Sequence, residues 1–139
     1  MIQYLFNTDH LTLFERGHPP LLGRVAALPT LSLAVSAISV EEAVRGRLGF
    51  LARPLDSSSR QRGYALLVGT VRLLNQLPIV LYDQSCESHY QQLRALRRRI
   101  GTQDLRIAAV ALANNLTLLT RNRGDFSQVP GLRIEDWSV

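Results

Sequence analysis

Short apolar runs alternate along the chain with longer stretches in which apolar residues recur every three to four positions, the pattern of strands separated by helices. IQYLFN at 2–7 is the first run, and Leu11, Leu13 and Phe14 begin a short helix behind it. Gly17-His18-Pro19-Pro20 interrupts the pattern, and a second short helix is expected over 21–28 before Pro29. In LSLAVSAIS the alternation of Leu33, Val35 and Ala37 with serines predicts a strand over 33–37. A helix follows from Ser39 to 53, where Arg53-Pro54 ends it. Asp56-Ser57-Ser58-Ser59 is a turn rich in capping residues and opens a long helix over 59–76. PIVLY at 78–82, between Pro78 and Asp83, is a third strand, and 84–99 is helical and closes on three arginines. Gly101-Thr102 starts the helix DLRIAAVALA, Asn114-Asn115 stops it, LTLLT at 116–120 is a fourth strand, and LRIEDW at 132–137 is an edge strand. Strands that alternate with helices pair in parallel, so the expected fold is a three-layer α/β/α sandwich with a central, mostly parallel sheet.

Length and composition narrow this further. A chain of 139 residues, 46% hydrophobic and 19% charged, is expected to form one globular domain over 1–139. No apolar run reaches bilayer length and the N-terminus lacks a signal-peptide pattern, which predicts a cytoplasmic protein with no membrane contact. The single cysteine, Cys86, excludes an internal disulfide and a thiolate metal cluster, and is expected to be a partly buried helix residue. All 16 basic residues are arginine, against 11 acids, for a net charge of +5. Guanidinium groups suit paired contacts to phosphate or carboxylate, so a polyanion or an acidic partner segment is one reading and a solvated basic face is the other. The absence of lysine removes P-loop, Schiff-base and acyl-phosphate chemistry.

Candidate chemistry gathers where strands end and helices begin. Asn7 closes the first strand and Thr120-Arg121-Asn122 follows the fourth, while Glu42 and Asp104 lie near the starts of two helices. In a parallel sheet these positions share one edge, the carboxyl ends of the strands, where open α/β folds form their clefts. Each acid also has a sufficient structural explanation. Ser39-Val40-Glu41-Glu42 has the form of a capping box, and Asp104 sits in a first helical turn if Thr102 is the N-cap. Together, Glu42 and Asp104 supply the hard oxygens that magnesium or manganese takes, with Asn7 and Asn122 as neutral supports. Asp9 is expected to cap the first helix, and His10 to be a surface residue at its start. The three histidines lack zinc-ligand spacing, and neither a nucleophile elbow nor a Gly-rich phosphate loop is present.

Three motifs carry a family resemblance over nearly the whole chain. YLFNTDHL, ISVEEAVRG and IGTQDLRIAAVALANNLTLLTRNRGDFSQVPGLRIEDW resemble the PIN-domain ribonucleases, most closely the VapC-type toxins of toxin–antitoxin pairs. The resemblance puts Asn7, Glu42, Asp104 and Asn122 on the catalytic positions, with Asn7, Glu42 and Asp104 as metal ligands. It implies magnesium- or manganese-dependent cleavage of single-stranded RNA, a homodimer, and a small antitoxin whose tail blocks the cleft and through which alone DNA is contacted. Arg45, Arg97, Arg98, Arg99 and Arg121 are candidates for guiding the RNA backbone, and Tyr4 and Tyr82 are expected to pack in or beside the core. The family usually carries aspartate where Asn7 stands. An amide keeps the shape but loses a charge beside a dication, so weak metal binding and activity are expected, with fold and antitoxin binding kept. Natural degeneration and a substitution that makes a toxic nuclease safe to express both account for it, and the otherwise intact motif favours the second. The competing class is a non-catalytic PIN-fold module that docks RNA or protein. A phosphorelay receiver also carries acids at this edge but needs a lysine.

Overall fold

The computed structural model describes residues 1–96 and 99–139. Its chain order is β1 (Tyr4–Phe6), α1 (Thr8–Glu15), α2 (Pro19–Ala26), β2 (Leu33–Ser36), α3 (Ala37–Leu51), α4 (Ser57–Leu74), β3 (Ile79–Val80), α5 (Gln84–Ala95), α6 (Thr102–Ala113), β4 (Thr117–Leu119), α7 (Arg123–Phe126) and β5 (Ile134–Glu135). The strands form one sheet in the order β3-β2-β1-β4-β5, and every pair is parallel. Chain connectivity reverses at β1: the chain leaves it toward β2 and β3 on one side and returns to β4 and β5 on the other. Such a reversal splays the loops at the strands' carboxyl ends and opens a crevice between them.

Alternation along the central strands separates two apolar layers. Leu5, Ala34 and Leu118 join Cys86, Tyr90 and Leu93 of α5, the Ile107–Ala111 face of α6 and Phe126 of α7 in one core. Phe6, Leu33, Val35 and Leu119 point the other way, into a core with Leu11, Leu21, Leu74 and Trp137. Successive strand residues are thus buried on opposite faces of the sheet, the signature of the expected three-layer sandwich. Tyr4 and Tyr82 lie partly buried against these cores, as expected. Cys86 lies on helix α5 but is fully rather than partly buried.

Local chemistry sets the helix ends. The side chains of Ser36, Asp56 and Asp83 accept from the N–H of Ser39, Ser59 and Cys86, capping α3, α4 and α5. Helix α6 ends with Asn115 at φ 55°, Leu116 N–H bonding Ala111 O and Asn115 N–H bonding Leu112 O. These are the two bonds of a Schellman stop, with asparagine in the left-handed position. The strands are two to four residues long, shorter than the apolar runs that encode them. The residues that were trimmed are taken over by caps and turns, and two such changes bear on the site. Ser36, not Ser39, caps α3, so Glu42 belongs to no capping box. Gly101, not Thr102, is the N-cap of α6, with no side-chain cap, and leaves Asp104 in the first turn.

Candidate active site

Asn7 follows β1 directly. Its backbone N–H donates to Leu119 O, and it occupies the N-cap position of α1 without a capping bond from its side chain. The carboxamide instead points along the sheet edge, with Nδ2 donating to Thr120 Oγ1 at 3.1 Å. Its Oδ1 is buried and has no hydrogen-bond partner. An orphaned buried carbonyl costs about 1–3 kcal/mol, so its retention calls for an explanation.

Glu42 reaches the same edge from α3. With Ser36 serving as the cap, Ser39 is free to bond Thr8 Oγ1 at 3.0 Å, and Thr8 Oγ1 donates to Glu42 Oε1 at 2.8 Å. The residue after Asn7 thereby fixes the carboxylate of Glu42. Asp104 arrives from the first turn of α6. Asn122 closes the cleft after β4: its N–H donates to Thr120 Oγ1 at 3.0 Å, its Oδ1 accepts from Asp125 N–H and its Nδ2 donates to Asp125 Oδ2. Four positions dispersed in sequence therefore meet at one sheet edge.

Electrostatics marks the cleft as short of positive charge. Burial pushes the Asp104 carboxyl above its usual range, and the negative charges of Glu42, Asp125 and Asp9 push it further, with no basic group opposing them. A group whose folded pKa is raised binds its proton more readily in the folded state, so Asp104 costs stability as pH rises through that pKa. Neutralising its neighbour should relieve part of this: Glu42→Gln is expected to move the Asp104 carboxyl back toward its ordinary value, read by carboxyl NMR titration. An unchanged titration would mean that the two acids do not share a field.

Among the described residues no three His, Cys, Asp or Glu side chains are arranged to hold a metal. The donor set is mixed instead: two carboxylates, Glu42 and Asp104, and the unfilled Asn7 Oδ1 amid uncompensated negative charge. Hard oxygens of this kind suit magnesium or manganese with water completing the shell, so the residues fit such an ion, with a carbonyl in place of a charge at position 7.

Two expectations are corrected. His10 is fully buried rather than a surface residue. Asp9 does not cap α1; Oδ1 pairs with His10 Nδ1 at 2.9 Å, and Oδ2 accepts from Arg121 N–H at 3.0 Å and Thr120 Oγ1 at 3.3 Å. Burial would raise the Asp9 carboxyl, but the bonds from His10 and Arg121 outweigh it and hold it below the usual range. Thr120, Asp125 and the short α7 are site features that periodicity does not reveal. The spacing Asn122-x-x-Asp125 is the one local signal, an asparagine cap three residues before an acid. Of the RNA-guiding candidates, Arg45 pairs with Glu41, whereas Arg97 and Arg98 lie outside the described residues.

The structure is a parallel α/β sandwich with an oxygen-lined cleft at its switch point. The PIN domain family model matches residues 13–132, and the chain belongs to that family. It is 28% identical over 141 residues to the tRNA(fMet)-specific endonuclease VapC of Salmonella typhimurium, covering 99% of each chain. A crystal structure of DNA-bound VapBC from Salmonella typhimurium superposes with a TM-score of 0.78 at 26% identity, again over 99% of both chains. VapBC2 from Rickettsia felis, bound to a DNA fragment from its promoter, gives 0.75 at 28% identity and the same coverage. Among the described residues no helix is long and apolar enough to cross a membrane.

Proposed function

We propose that the chain is the endoribonuclease toxin of a toxin–antitoxin pair, acting in the cytoplasm as a homodimer and held inactive by its antitoxin. The observation that carries the reading is the buried, unpartnered Asn7 Oδ1 at the sheet edge that Glu42 reaches through Thr8, with Asp104 in the field of Glu42. Magnesium or manganese held by Asn7, Glu42 and Asp104 would supply electrophilic activation of a phosphodiester and an acidified water. The chain's own part is positional. Thr8 orients Glu42, Thr120 orients Asn7 and the Asn122 backbone, and Asn122 holds Asp125. Arg99 and Arg121 are candidates to guide the RNA backbone.

A groove of about 510 Å³ leaves the cleft at Thr8 and Glu42 and runs between α1, α3 and α4 over Glu15, Arg47, Leu66 and Thr70. Arg47 donates to Glu15 and to Thr70 Oγ1, a polar cluster in a trough whose apolar lining is Leu11, Leu66, Leu73 and Leu74. This suits an antitoxin tail that lies in the trough and ends over the acids. DNA would be contacted through the antitoxin alone.

The test is cleavage of single-stranded RNA with magnesium. Asn7→Asp protein should cut, Asn7→Asp combined with Asp104→Asn should not, and the Asn7 protein should cut weakly if at all while still binding its antitoxin. An Asn7→Asp protein that binds antitoxin and cuts no RNA would remove the nuclease reading. The neutral amides at 7 and 122 favour one second reading, a non-catalytic PIN-fold module that binds RNA or protein.

A further inference from the structure

We propose that His10 is a positioning residue: it takes its orientation from the C-terminal segment and, through Asp9, sets the turn after β4 that holds Asn7 and Asn122 at the cleft. Its bearing on catalysis rests on the nuclease reading; the hydrogen-bonded connection itself does not.

A fully buried imidazole must satisfy both ring nitrogens. Trp137 N–H points at His10 Nε2 at 3.0 Å, and a backbone N–H can only donate. Nε2 is therefore the acceptor, which places the proton of the neutral ring on Nδ1, aimed at Asp9 Oδ1 at 2.9 Å. Asp136 Oδ1 lies 3.6 Å from Nε2, beyond hydrogen-bond range, and is engaged by the N–H and hydroxyl of Ser138. On the far side, Asp9 Oδ2 accepts from Arg121 N–H and from the Thr120 hydroxyl. With its one proton spent on Asp9, Thr120 offers two lone pairs, and these accept Asn7 Nδ2–H and Asn122 N–H. Each side-chain nitrogen and oxygen from His10 to Asn122 in this chain thus has a partner except Asn7 Oδ1, the one buried side-chain polar atom left over among the described residues.

For such a chain to position anything, its far end must be anchored independently. Trp137 is buried in the core beneath α1 and α2, 4.8 Å from the Tyr4 ring, with the Arg24 guanidinium 5.8 Å over its face. His18 Nε2 lies 2.7 Å from Ser138 O, a second tie. The segment is held by packing that owes nothing to His10.

The alternative is that His10 merely fills volume beside Phe6. Side chains that reproduce one ring nitrogen at a time separate the two. His10→Asn puts an amide N–H near the Nδ1 position, so it can donate to Asp9 but cannot reach Trp137. His10→Gln reaches Trp137 N–H but carries its donor away from Asp9. His10→Leu fills space and does neither. Asp9→Ala, at a partly exposed side chain, removes the acceptor that His10 and Arg121 share.

The readouts are amide hydrogen exchange at Arg121 and Asn122 and emission from Trp137, the chain's one tryptophan. Arg121 protection should stay within about threefold of the parent in His10→Asn and fall about tenfold or more in His10→Gln, His10→Leu and Asp9→Ala. Trp137 emission should shift to the red in the Asn and Leu variants and hold in Gln. In an Asn7→Asp background, manganese affinity should follow Arg121 protection, again by about tenfold. Equal protection in all four variants, unchanged or uniformly reduced, would overturn the proposal. Protection that follows this order while no form binds manganese would keep the positioning role and sink the nuclease reading.

Discussion

Asn7→Asp lowers the stability of the metal-free protein by about 1–3 kcal/mol and, unlike the parent, makes its melting temperature rise with manganese. Residue 7 is only 6% exposed, and a carboxylate there would be buried beside Glu42, Asp104 and Asp9 without a counter-charge. It would also forfeit the N–H that Asn7 gives Thr120, leaving one hydroxyl proton between two carboxylates. Burial and like charge raise the new carboxyl's pKa, so the deficit is complete above that raised pKa and closes as acidification protonates the group.

A divalent cation reverses the sign. Two unit charges about 4 Å apart in an effective dielectric near 20 attract by about 4 kcal/mol and a dication doubles that before desolvation is counted, against about 1.4 kcal/mol for each tenfold in affinity. Metal at a hundredfold excess over Kd would return about 2.7 kcal/mol to the variant. Thermal unfolding with chelator and with manganese measures this directly. The variant should lose several degrees without metal and recover them with it, while the Asn7 protein moves little. Equal responses of the two proteins to manganese would mean that residue 7 is not a ligand position.

Phe126→Ala carries the second large effect, a loss of about 3–5 kcal/mol. Helix α7 has four residues and no intrinsic stability as an isolated helix. It is held at one end by Asn122 Oδ1 accepting from Asp125 N–H at 3.3 Å, and at the other by the Phe126 ring, fully buried in the core formed with α5 and α6. Removing the ring opens a cavity under the turn that carries Asn122 and Asp125. Phe126→Leu should cost less than about 1.5 kcal/mol, since it fills much of the volume. Urea unfolding of the pair measures both, and a cost below about 1 kcal/mol for alanine would show that the turn is held by its caps alone.

Much of the architecture was legible from period and punctuation. Two buried faces, parallel strands and the stop at Asn114-Asn115 follow from residue type and local hydrogen bonding, which the sequence carries within a few positions. Element ends were less legible, because a residue at a strand terminus can serve a ladder or a cap. Ser36 shows this: it ends β2 and caps α3 at once, and so releases Ser39 and Glu42 from the capping role that their spacing suggests.

The sequence by itself determined the order of elements apart from α7, the two apolar layers and a set of oxygen-bearing residues at the ends of β1 and β4 and the starts of α3 and α6. Only the tertiary structure decided which of these oxygens are spoken for. Asp9 and His10 read as a helix cap and a surface residue, yet beyond the bond between them each finds a backbone partner more than a hundred positions away, at Arg121 and Trp137. Those partners are backbone N–H groups, which every residue but proline possesses, so no residue type announces them. Asn7 Oδ1 is singular for the same reason: its lack of a partner is a property of the assembled cleft and of no local stretch of chain.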